Sequence, residues 1–431
     1  MEGRIIAEWD RLRKAIMHRP GIEVFFGLLD PGSSLYERAF SQNAALSEHV
    51  NLANVLSNDA GIKVEMLCEG IAKRAKSGRR RRMLESAASS SIDFIGTASE
   101  VKNARKEFGR NLSSYDENYL INIMLLMPRL ILKKSRGTGS IHLSVTERDP
   151  LSNLYFMRDQ QVVADKGLFI SRMAKPQRRN ETRLTSMLWE MMGLPISHRA
   201  KAPATIEGGD FFPMGEFALL GMGDRTNASG VLQMMRHGIS APELAVVSQP
   251  QNPLIPSEYK DPMLDIHLDT YLNVAGKDLA VGSETLLKLA KVDIYERKEE
   301  TYKKTHEKKT LWDYLKSKGF DIINLTMLEQ MSYASNFLCL GEKKILTAES
   351  GAIIKKTVSR ISKLAEEAPR HYGSLNLQMR RDYTMLSQKG SAFPSRKKMS
   401  EYGIDYMGAD ISNLTGGYGG AHCMTAAIDR N

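Results

Sequence analysis

Short apolar runs that favour β-strands recur along the second half of the chain, and each lies near a short polar cluster. The runs are 167–170, 217–220, 279–282 and 344–347, and some of them precede a predicted helix. The polar clusters are Arg158-Asp159, Glu207-Gly208-Gly209-Asp210, His267-Leu268-Asp269, Ser335-Asn336 and His422-Cys423. Their spacing drifts from 48 to 87 residues, which argues against a solenoid. The pattern predicts a closed ring of α/β modules whose polar clusters meet at one central site.

Between residues 70 and 143 the strand patterns stop. Apolar residues every three to four positions predict consecutive helices over 71–88, 98–108 and 116–132. We therefore interpret 70–143 as an inserted α-helical domain and assign 1–69 together with 144–431 to a catalytic α/β domain.

The inserted segment carries a basic cluster, Lys73, Arg74, Lys76, Arg79, Arg80, Arg81 and Arg82. Such a run is usually a solvated helix face, and the other interpretation is a surface that binds nucleic acid. No aromatic residue interleaves residues 73–82, which weakens a nucleic-acid site built on base stacking. We predict that the cluster is a solvated face.

Charge and cysteine content narrow the class of protein. Lys and Arg outnumber Asp and Glu by 60 to 50, and this excess suits an anionic substrate, an acidic surface or nucleic acid. Three cysteines are too few for a disulfide framework, which favours a reducing compartment. No apolar run is long enough to span a membrane, and the amino terminus does not resemble a secretory signal. We expect a cytoplasmic protein.

The most informative stretch is the glycine-rich loop Thr415-Gly416-Gly417-Tyr418-Gly419-Gly420 and the Ala421-His422-Cys423 that follows it. Glycines permit a close approach to a ligand and positive φ angles. A phosphate-binding loop is poorly supported because no Gly-Lys-Ser/Thr follows. A cysteine that directly follows such a loop is placed to act as a nucleophile. Cys68 and Cys339 instead lie in apolar, strand-like sequence, which is typical of buried core cysteines.

Three other clusters offer acid and base groups. In His267-Leu268-Asp269 the two polar side chains share one side of an extended segment. With Cys423 and His422 they would suit either a metal site or a cysteine–histidine pair, and the absence of Cys-x-x-Cys makes zinc the weaker interpretation. Glu207 adds a carboxylate beside a glycine turn, and Asp159 follows an aromatic pair.

Taken in order, these motifs resemble the arginine deiminase family of guanidine-modifying enzymes. The motifs are residues 153–159 (Asn-Leu-Tyr-Phe-Met-Arg-Asp), 207–210, 221–225 (Gly-Met-Gly-Asp-Arg), 267–270 and 419–425, and the opening residues 8–14 and 18–21 also look like the family's first module. The resemblance implies a five-bladed, pseudo-symmetric α/β propeller with an inserted helical bundle.

The resemblance also implies residue roles. Cys423 matches the family's nucleophile, His267 its general acid and base, and Glu207 the carboxylate that orients the histidine. Asp159 and Asp269 match the carboxylates that grip the guanidinium. The substrate-binding matches are Asn153 and Phe156 in the pocket, and Arg178 and Arg225 at the substrate carboxylate.

The implied reaction is hydrolysis of free L-arginine to L-citrulline and ammonia through an S-alkylthiouronium on Cys423, with no metal or organic cofactor. The chain departs from the family where an arginine usually precedes the cysteine, since Gly416 and Tyr418 occupy the corresponding positions. The alternatives are an amidinotransferase, a deiminase of another guanidino compound, and a nucleic-acid-binding protein on an enzyme scaffold. We expect no nucleic-acid or membrane partner, and the sequence leaves a homo-oligomer open.

Overall fold

Twenty strands and fourteen α-helices form the described part of the chain. The structure is a computed structural model, and it describes residues 2–134, 141–147, 149–256, 258, 266–389, 392–395 and 397–431. The strands are β1 (Leu12–Met17), β2 (Lys63–Met66), β3 (Asp93–Ile95), β4 (Pro128–Lys134), β5 (Ile141–Glu147), β6 (Gln161–Ala164), β7 (Gly167–Ile170), β8 (Ile196–Arg199), β9 (Phe211–Pro213), β10 (Phe217–Met222), β11 (Glu243–Ser248), β12 (Leu272–Gly276), β13 (Leu279–Gly282), β14 (Lys291–Lys298), β15 (Thr301–Thr310), β16 (Asp321–Asn324), β17 (Leu338–Gly341), β18 (Lys344–Ala348), β19 (Asp405–Ala409) and β20 (Ala426–Arg430).

The helices lie between the strands and cover the sheets. They are α1 (Ile22–Leu29), α2 (Gln42–Asn54), α3 (Leu67–Arg74), α4 (Gly78–Ser91), α5 (Ala98–Asn111), α6 (Glu117–Leu126), α7 (Glu181–Met192), α8 (Ala228–His237), α9 (Glu284–Leu289), α10 (Leu311–Ser317), α11 (Met327–Met331), α12 (Ser350–Glu367), α13 (Pro369–Lys389) and α14 (Lys397–Glu401).

A central strand with one antiparallel and one parallel neighbour recurs in five units. Four units are the three-stranded sheets β6-β7-β8, β12-β13-β16, β17-β18-β19 and β20-β1-β2, and the fifth is the β9-β10-β11 part of a five-stranded sheet that continues through β14 to β15. The sheet β3-β4-β5, which lies largely in the segment from 70 to 143, has the same arrangement. In β20-β1-β2, β20 from the carboxyl end pairs with β1 from the amino end. The four predicted strand runs correspond to β7, β10, β13 and β18, so those predictions are confirmed. The fold is therefore mixed α/β and built from repeated units.

The predicted polar clusters occupy equivalent places in these units. Each lies just before the first strand of its sheet: Asp159 before β6, Asp210 before β9, Asp269 before β12, Asn336 before β17 and Cys423 before β20. Strands such as β7, β13 and β17 are buried along their whole length, because both of their faces are covered. The sheets thus form a rigid support from which the polar turns project.

The segment from 70 to 143 differs in detail from the prediction. The expected helix 71–88 is two helices, α3 and α4, separated by a break before Gly78, whose φ is +65°. The expected helix 116–132 ends at Leu126, because Met127 is left-handed and Pro128 begins β4. The segment also contains β3, which pairs with β4 and was not predicted.

The helices of this segment pack against α7 of the neighbouring unit. Leu84 of α4, Leu120 of α6 and the fully buried Trp189 of α7 belong to one apolar cluster. Among the residues that the structure describes, no helix combines the length and the apolar character needed to cross a membrane.

The basic cluster is partly a set of ion pairs within the protein. Lys76 Nζ lies 2.7 Å from Glu117 Oε2, and Arg81 contacts Glu85 at 2.7 Å and Glu117 at 3.2 Å. Arg81 Nη2 also donates to the carbonyl oxygens of Leu112 and Tyr115 at 2.8 and 2.5 Å. Arg79, Arg80 and Arg82 are exposed. The cluster therefore combines a solvated face with one structural arginine.

We expect Arg81→Gln to lower the free energy of unfolding by about 1–3 kcal/mol, because charge-assisted bonds to the half-buried carbonyl groups of Leu112 and Tyr115 are lost. Replacing Arg79, Arg80 and Arg82 together with Gln is the matched control, and it should change stability by less than about 0.5 kcal/mol. Urea unfolding of both variants measures the difference. Equal destabilisation by the two changes would contradict the structural role of Arg81.

Candidate active site

A small cavity of about 20 Å³ lies where the polar turns of the sheets converge. It is lined by Leu35, Asn153, Phe156, Asp159, Arg178, Arg225, Ile266, His267, Gly417, Tyr418 and Cys423. Eight of the ten predicted site residues are in this lining, and the other two, Glu207 and Asp269, contact it through His267 and Cys423. The structure thus brings together residues that are up to 270 positions apart in the chain.

The glycine-rich loop packs tightly against aromatic side chains. A Cβ atom on Gly417 would lie 1.9 Å from the Tyr155 hydroxyl, and one on Gly419 would lie 2.5 Å from the Phe156 ring. None of the four loop glycines has a positive φ, and the left-handed residue is Tyr418, at +73°. The glycines are therefore needed for the close approach of the neighbouring protein, which corrects the expectation of positive φ angles.

Asn336 fixes the turn that carries the cysteine. Its Oδ1 accepts from the backbone N–H groups of Gly420 at 2.8 Å and Cys423 at 3.1 Å, and its Nδ2 donates to the Asp269 carbonyl at 3.1 Å. The sequence analysis noted Asn336 as part of a polar cluster but gave it no role. Its position just before β17 could have indicated a role in the site, because other site residues also precede the first strand of their sheets.

The Cys423 thiol is buried beside carboxylates. Its Sγ lies 3.4 Å from Asp269 Oδ2, and the side chain is almost inaccessible to solvent. Burial raises the pKa of the thiol well above its ordinary value, and the nearby charges of Asp269 and Asp159 raise it further. Without a bound substrate the thiol is therefore protonated, and a bound cation would lower its pKa.

His267 and Glu207 form a buried acid–base pair. Glu207 Oε2 lies 2.9 Å from His267 Nε2, and Asp159 Oδ1 lies 3.8 Å from the other ring nitrogen. Burial alone lowers the pKa of His267, but the carboxylates of Asp159, Glu207 and Asp210 outweigh it and raise that pKa to about 9. His267 is therefore a protonated imidazolium near neutral pH and can donate a proton.

The backbone after His267 differs from the expected extended segment, whereas the expected glycine turn beside Glu207 is confirmed. His267 begins a short 3₁₀ turn over Leu268–Thr270, and Gly208–Asp210 forms another before β9. A Cβ atom on Gly209 would lie 2.8 Å from the His267 ring. Glycine at this position therefore leaves the space that the imidazole occupies.

Two carboxylates near the thiol each keep one buried oxygen that accepts no hydrogen bond from the described protein, Oδ1 in both Asp159 and Asp269. Their other oxygens are bonded, since Arg178 Nη1 donates to Asp159 Oδ2 at 2.7 Å and His422 Nδ1 lies 2.8 Å from Asp269 Oδ2. An unpaired buried carboxylate oxygen is costly. The arrangement therefore suits a planar cation with several N–H donors.

A sequence model of arginine deiminases matches residues 33–430. The chain belongs to the arginine deiminase family. It is 25% identical to the arginine deiminase of Halobacterium salinarum over 98% of this chain and 96% of that one, and 26% identical to that of Staphylococcus haemolyticus over 80% and 88%. Among solved structures, unliganded AgrE matches with a TM-score of 0.52 and 10% identity, over 97% of this chain and 39% of AgrE. That likeness concerns the mixed α/β fold.

Two arginines of this arginine deiminase family member line the cavity but are already paired with carboxylates. Arg178 Nη2 lies 2.9 Å from Glu181 Oε2 in addition to its contact with Asp159, and Arg225 Nη1 lies 3.5 Å from Glu207 Oε2. Burial raises the pKa of Glu207, but Arg225 and His267 outweigh it and hold that pKa below its ordinary value. The positive charges of the two guanidiniums therefore partly neutralise the carboxylates that surround His267.

The remaining predicted residues lie at the mouth of the cavity. Asn153 Nδ2 donates to the Ser34 carbonyl at 2.7 Å, and the Phe156 ring packs 4.2 Å from the ring of Tyr155. Tyr418 is half-buried, and the Arg360 guanidinium lies 5.9 Å from its ring centre. Arg360 is itself paired with Glu37 at 2.6 Å. The loop thus presents an aromatic side chain where the family usually has an arginine.

Asp159, Glu207 and His267 are close enough for their ligand atoms to surround one ion, within 4.8 Å of one another. The His267 Nε2 atom is already engaged by Glu207, and Arg178 and Arg225 place positive charge beside the same carboxylates. These cations would repel a metal ion. The set therefore fits an acid–base pair better than a metal centre.

Proposed function

We propose that the chain hydrolyses free L-arginine to L-citrulline and ammonia through a covalent intermediate on Cys423. The observation that carries the proposal is the buried thiol beside two carboxylates that each offer an unpaired oxygen, with a protonated histidine in the same cavity. Membership of the arginine deiminase family supports the same reaction class.

The carboxylates of Asp159 and Asp269 bind the substrate guanidinium at its edges through their free oxygens. The positive charge of the substrate opposes the effect of the two carboxylates on Cys423, so the thiol loses its proton when substrate is bound. The thiolate attacks the guanidinium carbon. His267 gives its proton to one nitrogen, which leaves as ammonia, and an S-alkylthiouronium remains.

Hydrolysis then uses the same groups in reverse. Neutral His267 takes a proton from water, and the hydroxide adds to the thiouronium carbon. The new hydroxyl group then gives its proton to the leaving sulfur as the C–S bond breaks, which releases the ureido product and restores the Cys423 thiol. Glu207 holds the ring of His267 and stabilises its charged form in the first step, since its carboxylate lies 2.9 Å from Nε2. The mechanism uses only side chains of the protein.

We also infer that the five units are the blades of a five-bladed α/β propeller and that residues 70–143 are a domain inserted in it. The pairing of β20 with β1 supports closure of such a ring, because it joins the two ends of the chain in one sheet. The packing of α4 against α6 supports an insertion, and the segment shares one apolar core with sheet residues such as Leu168 and Ile428.

The substrate is tested by incubating the protein with L-arginine, with agmatine and with a peptidyl-arginine, and by measuring ammonia and the ureido product together. We expect equal amounts of both from L-arginine. Amidino transfer to glycine or ornithine without citrulline would instead identify an amidinotransferase, which forms the same covalent intermediate. If only agmatine or only the peptidyl-arginine is turned over, the substrate is that guanidino compound and not free L-arginine.

Tyr418→Arg should lower the Michaelis constant for L-arginine by up to about tenfold, because it restores a charge-assisted contact with the substrate carboxylate. Arg178 and Arg225 already form ion pairs with protein carboxylates, those of Asp159, Glu181 and Glu207. An additional arginine at position 418 can therefore strengthen binding of the substrate carboxylate. The maximal rate should change less, since this contact is similar in the ground and transition states.

Steady-state kinetics of the parent, Tyr418→Arg and the control Tyr418→Phe on L-arginine and agmatine test this prediction. Agmatine lacks the carboxylate, so its Michaelis constant should not fall in Tyr418→Arg. An equal improvement for both compounds, or better use of agmatine than of L-arginine by the parent, would contradict the assignment of Tyr418 to the carboxylate end.

A further inference from the structure

A second and larger cavity, of about 290 Å³, lies between the loop after β1 and helices α1, α3 and α6. Residues from 18 to 23 form one wall, Cys68 and Glu69 of α3 form another, and α6 contributes Asn118, Asn122 and apolar side chains. None of its lining residues belongs to the candidate active site.

A thiol, an imidazole and a carboxylate form a chain in this cavity. Cys68 Sγ lies 3.6 Å from His18 Nδ1, and His18 Nε2 lies 3.1 Å from Glu23 Oε1. His18 and Glu23 are buried, and Glu23 Oε1 is held further by the Gly21 N–H at 2.8 Å. The second oxygen, Glu23 Oε2, is buried without a hydrogen-bond partner. Cys68, His18 and Glu23 are thus arranged as a nucleophile, a base and a group that orients the base, and each contacts the next.

A positively charged histidine lies next to Cys68. Burial alone lowers the pKa of His18, but Cys68 and Glu23 outweigh it and raise that pKa to about 10. Burial, together with His18 and Arg19, lowers the pKa of the neighbouring His49 to about 3, so His49 is neutral. Cys68 is also the second residue of α3, where the helix dipole stabilises negative charge.

We propose that Cys68, His18 and Glu23 form a second thiol site, at which Cys68 reacts with small polar disulfides to give a mixed disulfide. The Cys68 thiolate attacks one sulfur of the disulfide, a new S–S bond forms to Cys68, and the other half leaves as a thiolate. His18 stabilises the Cys68 thiolate before attack and can protonate the leaving sulfur. The reaction is independent of the proposed arginine hydrolysis.

The two other cysteines are less accessible than Cys68. Cys339 is fully buried on β17, and burial raises its pKa to about 12. The pKa of Cys423 is raised by burial and by two carboxylates. Cys68 is half-buried and lines a cavity together with two asparagine amides and the exposed pair Arg19 and Glu69, whose charged groups lie 3.5 Å apart, which suits a disulfide that carries both carboxylate and ammonium groups.

The test uses the Cys423→Ala protein with glutathione disulfide and, separately, with 5,5′-dithiobis(2-nitrobenzoate), and locates the modified residue by peptide mass spectrometry. We expect modification of Cys68 at a rate at least about tenfold above that of Cys339, because Cys68 lines the cavity and Cys339 is fully buried. The ionisable groups that line the cavity around the pair are Arg19, Glu23 and Glu69.

His18→Asn should reduce the rate at pH 7 by at least about tenfold, because the positively charged neighbour of the attacking sulfur is lost. His306 is exposed on β15 and lies outside the cavity lining, so His306→Asn is the control and should alter the rate by less than about threefold. The ratio of the Cys68 rate to the Cys339 rate in the Cys423→Ala protein decides the matter if His18→Asn does not fold. An unchanged rate in His18→Asn, or faster modification of Cys339, would overturn the proposal.

Discussion

Cys423→Ala is expected to abolish the release of ammonia from L-arginine, with a loss of at least about 10⁴-fold in the turnover number. The proposed mechanism forms its covalent bond at this sulfur, and no other cysteine lines the cavity. The substitution removes a small buried side chain whose backbone N–H is still held by Asn336, so the fold should remain.

Cys339→Ala is the matched control for this experiment. Cys339 is also fully buried and is next to Gly341 on β17, where its sulfur contacts the Gly341 carbonyl oxygen at 3.3 Å. We expect the control to lose some stability and to keep its turnover number. Rapid acid quenching of the parent during turnover, followed by mass spectrometry, should also find the arginine-derived adduct on the peptide that contains Cys423. Normal turnover by Cys423→Ala would remove this residue from the mechanism.

Asp269→Asn should lower kcat/KM for L-arginine by about 10²–10⁴-fold, because up to two charge-assisted hydrogen bonds to the guanidinium are weakened at about 1.5–3 kcal/mol each. The same substitution should make the free thiol more reactive. Asp269 Oδ2 is 3.4 Å from Cys423 Sγ, and its negative charge raises the pKa of the thiol, so removing that charge lowers the pKa. The two effects therefore have opposite signs.

Alkylation of Cys423 by iodoacetamide without substrate, measured by peptide mass spectrometry between pH 6 and pH 10, tests the second effect. In Asp269→Asn the rate of alkylation should reach its half-maximal value at a lower pH than in the parent. Asp159→Asn is the companion variant and should shift the profile in the same direction, since Asp159 also raises the thiol pKa. Loss of activity together with an unchanged alkylation profile would mean that Asp269 acts only as a support for His422.

A buried charge network behind Asp269 explains why this carboxylate has a defined orientation. His422 Nδ1 bonds Asp269 Oδ2, and Glu8 Oε1 lies 3.7 Å from the other ring nitrogen of His422. Glu8 is held at 2.6 Å by Arg430 of β20. Burial raises the pKa of Glu8, but Arg430 and Arg158 outweigh it and keep that pKa below its ordinary value. The network joins both ends of the chain beneath the candidate site.

The sequence predicted the repeated units well, because their central strands are short apolar runs beside polar turns. It predicted less well where tertiary contacts or single backbone angles decide the structure. Residues 128–134 form a strand since Met127 turns left-handed before Pro128, and nothing in the apolar spacing of 116–132 indicates where the helix ends. Likewise, the loop glycines reflect the packing of Tyr155 and Phe156, which are more than 250 residues earlier in the chain.

The sequence by itself determined which chemical groups are available and to which family the chain belongs, because both depend on residue types in a fixed order. Only the tertiary structure decided how those groups share protons and charge. It pairs Arg178 with Asp159 and Glu181, leaves one oxygen of Asp159 and of Asp269 unpaired, and places His18 against Cys68 in a separate cavity. The physical reason is that electrostatic interactions depend on distance and burial, and folding sets both between residues that are remote in sequence.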